Sequence, residues 1–174
     1  MTATLPRQLM SISRRAAMSA AASILAFGAL GAAPAMAGPT LLTVTGAIAG
    51  GAEKTFDRDA LMAMPRTEFT TTTVWTEGPM HFVGVSLHDL LAAVGATAST
   101  AHLVAINDYA VNLPVADALP DGATIAYEVN GKPMSVREKG PLWLVYPYDS
   151  NIDYRTEATY GLSIWQLVRI DVQD

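Results

Sequence analysis

The residues best suited to chemistry lie in four short stretches. In F-T-T-T-T-V-W-T-E-G, Phe69 to Gly78, Trp75 and Glu77 follow a threonine run. An aromatic face and a carboxylate on one loop can hold a ligand; equally, Trp75 can cap a sheet edge and Glu77 can be a solvated loop charge. Asn107, Asp108 and Tyr109 follow the end of an apolar run, where pockets gather polar groups. The alternative there is an Asx-turn. Tyr148 and Asp149 close the apolar stretch P-L-W-L-V-Y-P and open an irregular one. Arg155 is the only basic residue between Lys139 and Arg169. It can bind an anionic group, or pair with Asp153 or Glu157. Trp143 and Trp165 fall within strands and suit a core, although Trp165 can also face a ligand.

Other chemistries find no support in the sequence. The chain has no cysteine, which removes disulfides, thiolate metal sites and cysteine nucleophiles. His81, His88 and His102 lack metal-ligand spacing. There is no G-x-S-x-G elbow or Ser-His-Asp order. The glycine cluster G-A-I-A-G-G near residue 50 reads as a turn rather than a phosphate loop.

The elements that must position these residues begin after an export signal. Arg7, Arg14 and Arg15 precede an Ala-rich apolar stretch from Ala16 to Leu30, and A-P-A-M-A-G offers cleavage after Ala37. The twin arginines also fit a Tat signal. The expected mature domain is 38–174, in the periplasm. All 16 acidic residues remain in it and three of the 11 basic ones leave, so 8 positive charges face 16 negative ones, a net charge of −8. Such a surface argues against nucleic acid as a partner.

Alternation and β-branching predict strands in L-L-T-V-T-G-A-I, T-E-F-T-T-T-T-V-W, H-L-V-A-I, A-V-N-L-P, A-T-I-A-Y-E-V and K-P-M-S-V. Asn130-Gly131 signals a type I′ hairpin between the last two. P-L-W-L-V-Y-P reads as a central strand. S-I-W-Q-L-V-R-I-D-V reads as one final strand, with Ile164, Gln166 and Val168 on one face and Trp165, Leu167 and Arg169 on the other. D-R-D-A-L-M-A-M-P predicts a short helix capped by Asp57. S-L-H-D-L-L-A-A-V-G predicts the clearest helix, with Ser86 and Asp89 as a capping box and Gly95 at C′. Its apolar face is Leu87, Leu90, Leu91 and Val94. V-A-D-A-L predicts a further short helix, and N-I-D-Y-R-T-E-A-T-Y-G an irregular connection. The class is α+β: one β-rich domain with two or three short helices.

F-V-G-V-S-L-H-D-L-L-A-A-V-G-A, A-I-N-D-Y-A-V-N-L-P-V-A-D-A-L, A-Y-E-V-N-G-K-P-M, G-P-L-W-L-V-Y-P-Y-D and S-I-W-Q-L-V-R-I-D-V occur in an order that resembles the sulfite oxidase-type molybdopterin-binding domain, across nearly all of 40–172. The resemblance implies that family's mixed-sheet fold. Enzymes of the family ligate molybdenum through a cysteine in the loop after an early strand. Here threonines of T-T-T-T-V-W occupy that neighbourhood, and a neutral hydroxyl is a poor substitute for a soft thiolate. V-W-T-E-G, Y-P-Y-D and S-I-W-Q-L resemble more closely the molybdenum-free periplasmic pterin-binding regulators of this fold. That resemblance implies a reduced pterin as cofactor, no molybdenum, and a membrane GGDEF/EAL protein of cyclic di-GMP metabolism as partner. A pterin is a flat polar bicycle. Trp75 would stack on its face, and Glu77 would accept from its 2-amino edge. Asn107, Asp108, Tyr109, Tyr148, Asp149, Arg155 and Trp165 complete the expected binding set, with no catalytic residue and no metal ligand. The alternatives are a molybdopterin-dependent oxidoreductase with a non-thiolate site, and a haem-binding variant of the fold.

Overall fold

The computed structural model describes residues 38–174. The export signal and its cleavage point, residues 1–37, lie outside the described residues. Strand β1 (Leu42–Gly46) buries Leu42 and Val44. A glycine turn leads to β2 (Lys54–Phe56), antiparallel to it. Helix α1 (Arg58–Met62) starts where Asp57 Oδ1 accepts from the Ala60 N–H at 2.8 Å, which satisfies one of the open donors at a helix start. The threonine-rich stretch forms β3 (Arg66–Thr72), and β4 (Pro79–Ser86) runs back along it.

Helix α2 (Leu87–Val94) follows β4 without a loop and buries Leu87, Leu90, Leu91 and Val94, the stripe the sequence predicts. Gly95 ends it at φ 66°, the left-handed C′ conformation that glycine adopts without strain. The expected capping box is absent. Ser86 makes no cap bond, and Asp89 pairs sideways with His88 Nδ1 at 3.1 Å. A strand running straight into the helix buries Ser86 and keeps its hydroxyl from the turn.

Next come β5 (Thr100–Ala105), β6 (Ala110–Pro114), a 3₁₀ turn at Val115–Asp117, β7 (Thr124–Val129) and β8 (Lys132–Pro133). Asn130 and Gly131 both have positive φ, as the type I′ turn requires. β9 (Trp143–Val145) is short and fully buried. Helix α3 (Glu157–Leu162) then forms within the stretch expected to be irregular, capped by Thr156 Oγ1 accepting from the Thr159 N–H.

The expected last strand is two. β10 (Ile164–Trp165) and β11 (Leu167–Gln173) join different sheets, and Gln166 at φ 56° turns the chain between them. The expected alternation therefore breaks: Ile164 and Leu167 are both buried, while Trp165 is the partly exposed one. One sheet has the order β2-β1-β11-β5-β6, with β1 and β11 parallel and its other pairs antiparallel. The other, β10-β9-β7-β4-β3 with β8 on β7, is antiparallel throughout. A single buried cluster joins Leu42, Val44 and Ile170 of the first to Phe82, Ile125 and Trp143 of the second. Among the described residues the class is thus α+β, with two sheets and three short α-helices.

Candidate functional site

The threonine run is a strap. Thr71 is buried, and its Oγ1 accepts from the Asp149 N–H at 3.0 Å. Thr72 donates its N–H to Asp149 Oδ2 at 2.6 Å and its hydroxyl to Asp149 Oδ1 at 2.9 Å. Arg155 donates to Asp149 Oδ1 at 2.7 Å and to the Tyr148 carbonyl at 2.9 Å. The Thr72 N–H first, then the Thr72 hydroxyl and Arg155, hold the Asp149 carboxyl below the usual carboxylate range. Thr73 Oγ1 accepts from the Trp75 N–H at 3.1 Å and pairs with Thr76 Oγ1 at 2.8 Å. These bonds fix the end of β3 against the loop after β9, and so set where Trp75 emerges.

Trp75 is the hub of an aromatic cluster. It meets Trp143, Tyr148, Tyr160 and Trp165 edge to face, at centroid distances of 6.1, 6.3, 5.8 and 5.8 Å, a geometry that suits the ring quadrupoles. Tyr148 is buried, and its phenol shares a short hydrogen bond with Ser163 Oγ. Burial pushes that phenol up to about 12. It therefore stays protonated, as a neutral wall behind Trp75.

In front of the cluster opens a cleft of about 350 Å³, lined by Trp75, Ala105, Asn107, Tyr109, Tyr160, Ser163, Ile164 and Trp165. It lies where the two sheets meet at their ends. Ala105 closes β5, Asn107 and Tyr109 belong to the β5–β6 turn, Tyr160 is on α3, and Ile164 and Trp165 form β10. Asn107 Oδ1 accepts from the Tyr109 N–H at 3.3 Å, so the Asx-type turn is present. It leaves the Asn107 amide hydrogens as donors at the cleft.

The expected binding residues thus separate. Trp75, Asn107, Tyr109 and Trp165 share the cleft, and Tyr148 backs it through Trp75 and Ser163. Glu77 is exposed in the β3–β4 turn and Asp108 is exposed at φ 62°; neither lines the cleft. Asp149 and Arg155 belong to the strap. Tyr160 and Ser163 also line the cleft and are not among the residues the sequence pattern suggests. Thr156 as an N-cap followed by Glu157 was the available sign of the helix that presents them.

Nearby, Lys139 Nζ lies 5.8 and 5.6 Å from the ring centroids of Trp143 and Trp165, within cation–π range. It lines a separate cavity of about 380 Å³ with Lys132, Met80, Met134 and Trp143. Among the described residues, no group of three or more histidines and acids is arranged to hold a metal, and no helix is long and apolar enough to cross a membrane.

Fold and cleft together define a β-rich domain with an aromatic cleft, lined by uncharged residues, where two sheets meet. The chain belongs to the oxidoreductase molybdopterin binding domain family, whose model matches residues 40–150, more than half of the sequence. Among solved structures, the sulfane dehydrogenase SoxCD from Paracoccus pantotrophus is similar, with a TM-score of 0.59 and 21% identity over 76% of this chain and 38% of that one. At that identity the likeness is one of fold, and the chain spans well under half of that protein's length. Among curated proteins none matches the sequence.

The residues present fit only part of the group that the family name implies. A flat ring suits the aromatic cleft. A molybdenum centre requires a soft ligand, and the hydroxyls of Thr71, Thr72 and Thr73, in the neighbourhood where the resemblance places the cysteine, are each engaged within the protein. Among the described residues, no cationic side chain lines the cleft to hold a phosphate tail.

Proposed function

We propose that this domain binds a reduced pterin without molybdenum and acts as an exported sensor of it. The observation that carries the reading is the cleft itself: aromatic, uncharged, and built beside a threonine strap where a metal ligand would be needed. A flat heterocycle would lie against Trp75 and Trp165, with the Asn107 amide meeting its polar edge. The cleft's surroundings support a reporting role. Val74, Ile106, Tyr109 and Trp165 are exposed apolar residues at or next to its lining positions, and apolar exposure of this kind marks contact surfaces. A partner docked there would meet protein and ligand together. The resemblance to pterin-binding regulators supports, as that partner, the periplasmic part of a membrane enzyme that makes or degrades cyclic di-GMP.

Family membership favours a second reading, a molybdopterin-dependent oxidoreductase domain with a non-thiolate site. Anaerobic titration with a reduced pterin, followed by quenching of tryptophan fluorescence, separates the two. Saturable binding by the metal-free protein supports the sensor. Binding only when molybdenum is supplied with the cofactor, accompanied by turnover, supports the oxidoreductase. The reporting role is tested by adding the purified periplasmic part of such an enzyme: association should depend on whether the cleft is loaded.

A further inference from the structure

Four strands end the two sheets: β2, β6 and β10, of three, five and two residues, and β3, of seven. Hydrogen bonds show which backbone groups of β3 face outward. His81 of β4 donates its N–H to Asn130 Oδ1 at 2.9 Å, and its carbonyl accepts from the Asn130 N–H at 2.8 Å. The His81 backbone therefore faces β7. Thr70, opposite His81 on β3, is then at a non-bonded position of the antiparallel pair, and its own N–H and C=O point away from β4. Thr72, two residues on, has the same parity and donates its N–H outward to Asp149. β3 and β4 pair from Arg66 to Thr72 without a register shift, so Arg66 and Glu68 also turn their backbone groups outward. The side chains of Arg66, Glu68 and Thr70 are exposed. The strap thus closes this edge only at Thr72. Among the described residues, no backbone bond from another segment reaches the outward groups of Arg66, Glu68 or Thr70. An open edge of this length is a template for another strand.

We infer that β3 pairs with β3 of a second copy of this chain, antiparallel and centred on Thr67. Charge and the strap select that register. Centring on Phe69 sets Arg66 against Thr72, whose N–H is already committed to Asp149. Centring on Glu68 sets Glu68 against Glu68, and like charges directly opposite destabilise a sheet pair. Centring on Thr67 sets Arg66 of each copy against Glu68 of the other. Arg66 and Glu68 already pair within one chain at 2.6 Å. The two copies then share a closed network of alternating sign, the arrangement in which exposed ion pairs do contribute. The contact is isologous, the same patch meeting itself. β3 carries one charge of each sign, so the edge is locally neutral although residues 38–174 carry a net charge of −8. The antiparallel pairing joins the two β3 sheets into one and points the two Thr72 ends, with the Trp75 loops that follow them, in opposite directions. Each copy keeps its own cleft. None of this depends on the pterin reading.

The test is sedimentation equilibrium of the purified protein over a wide concentration range, with circular dichroism to check folding. Wild type should self-associate to a dimer. Arg66→Glu and Glu68→Arg each set like charges across the edge, and each should weaken the dimer at least about tenfold. The double variant carrying both changes restores opposite charges in the same register and should recover most of the affinity. In wild type, the Glu68 and Thr70 amides should become slower to exchange with solvent as the dimer forms. A monomeric wild type at every concentration overturns the inference and leaves the edge to another protein's strand or to solvent. Dimers that persist unchanged in both single variants place the contact elsewhere and overturn it equally. A double variant no better than the single ones refutes the register.

Discussion

Trp75 is where the chemistry of single residues decides most. A tryptophan in a loop after a strand suggests a dispensable edge cap, and its removal would then spare the fold. The structure makes it half-buried and in contact with four other rings. Trp75→Ala should therefore cost roughly 2–4 kcal/mol of stability, read as a lower urea midpoint. It should also weaken reduced-pterin binding by about 30-fold to 1000-fold. Trp75→Phe should keep much of both. Unchanged affinity in a folded Trp75→Ala variant would remove Trp75 from the site. Asp149 gives a prediction in pH. Its carboxyl is held below its ordinary range, chiefly by the Thr72 N–H. Its contribution to stability is therefore complete above the unfolded carboxylate range and disappears as pH falls through the depressed value. Asp149→Asn should be less stable than wild type at neutral pH, and the gap should close on acidification below about pH 5. A gap that stays constant would mean that Asp149 acts by shape alone.

At the scale of elements, the sheet of β3, β4, β7 and β9 depends on one close approach. A Cβ added to Gly84 would lie 2.2 Å from the Ile125 carbonyl oxygen and 2.7 Å from the Ala126 Cα, at the irregularity where β4 pairs with β7. Backbone cannot retreat as a side-chain end can, so Gly84→Ala should destabilise by about 1–3 kcal/mol or more, measured by chemical denaturation. Wild-type stability would show that the two strands separate freely. The same strand shows why the sequence was only partly legible. β4 is buried from Phe82 to Ser86 without alternation; with no period-2 signal to mark it, the sequence pattern assigns it no strand of its own. α2, with one solvent face, was read to the residue. The split of the last strand turns on a single left-handed glutamine, Gln166, and backbone conformation at one residue leaves no mark in hydrophobic periodicity.

Across the whole molecule, composition decides one thing by itself: without cysteine there is no thiolate and no disulfide. Position along the chain marked four of the eight residues that line the cleft. Trp75, Asn107, Tyr109 and Trp165 were legible because they are polar or aromatic residues at strand ends. Tyr160 and Ser163 were hidden because their helix is short and polar, and because tertiary packing alone brings α3 against the β5–β6 turn. Asp149 and Arg155 looked like ligand groups for the same reason that they make a good strap: opposite charges on one loop. The central claim, a pterin held without molybdenum, is tested most directly on protein purified anaerobically from the exported fraction and then denatured. The supernatant is analysed for pterin fluorescence and for metal. A pterin released in near-stoichiometric amount, with molybdenum far below that level, is the predicted result. Molybdenum approaching one atom per chain would contradict it.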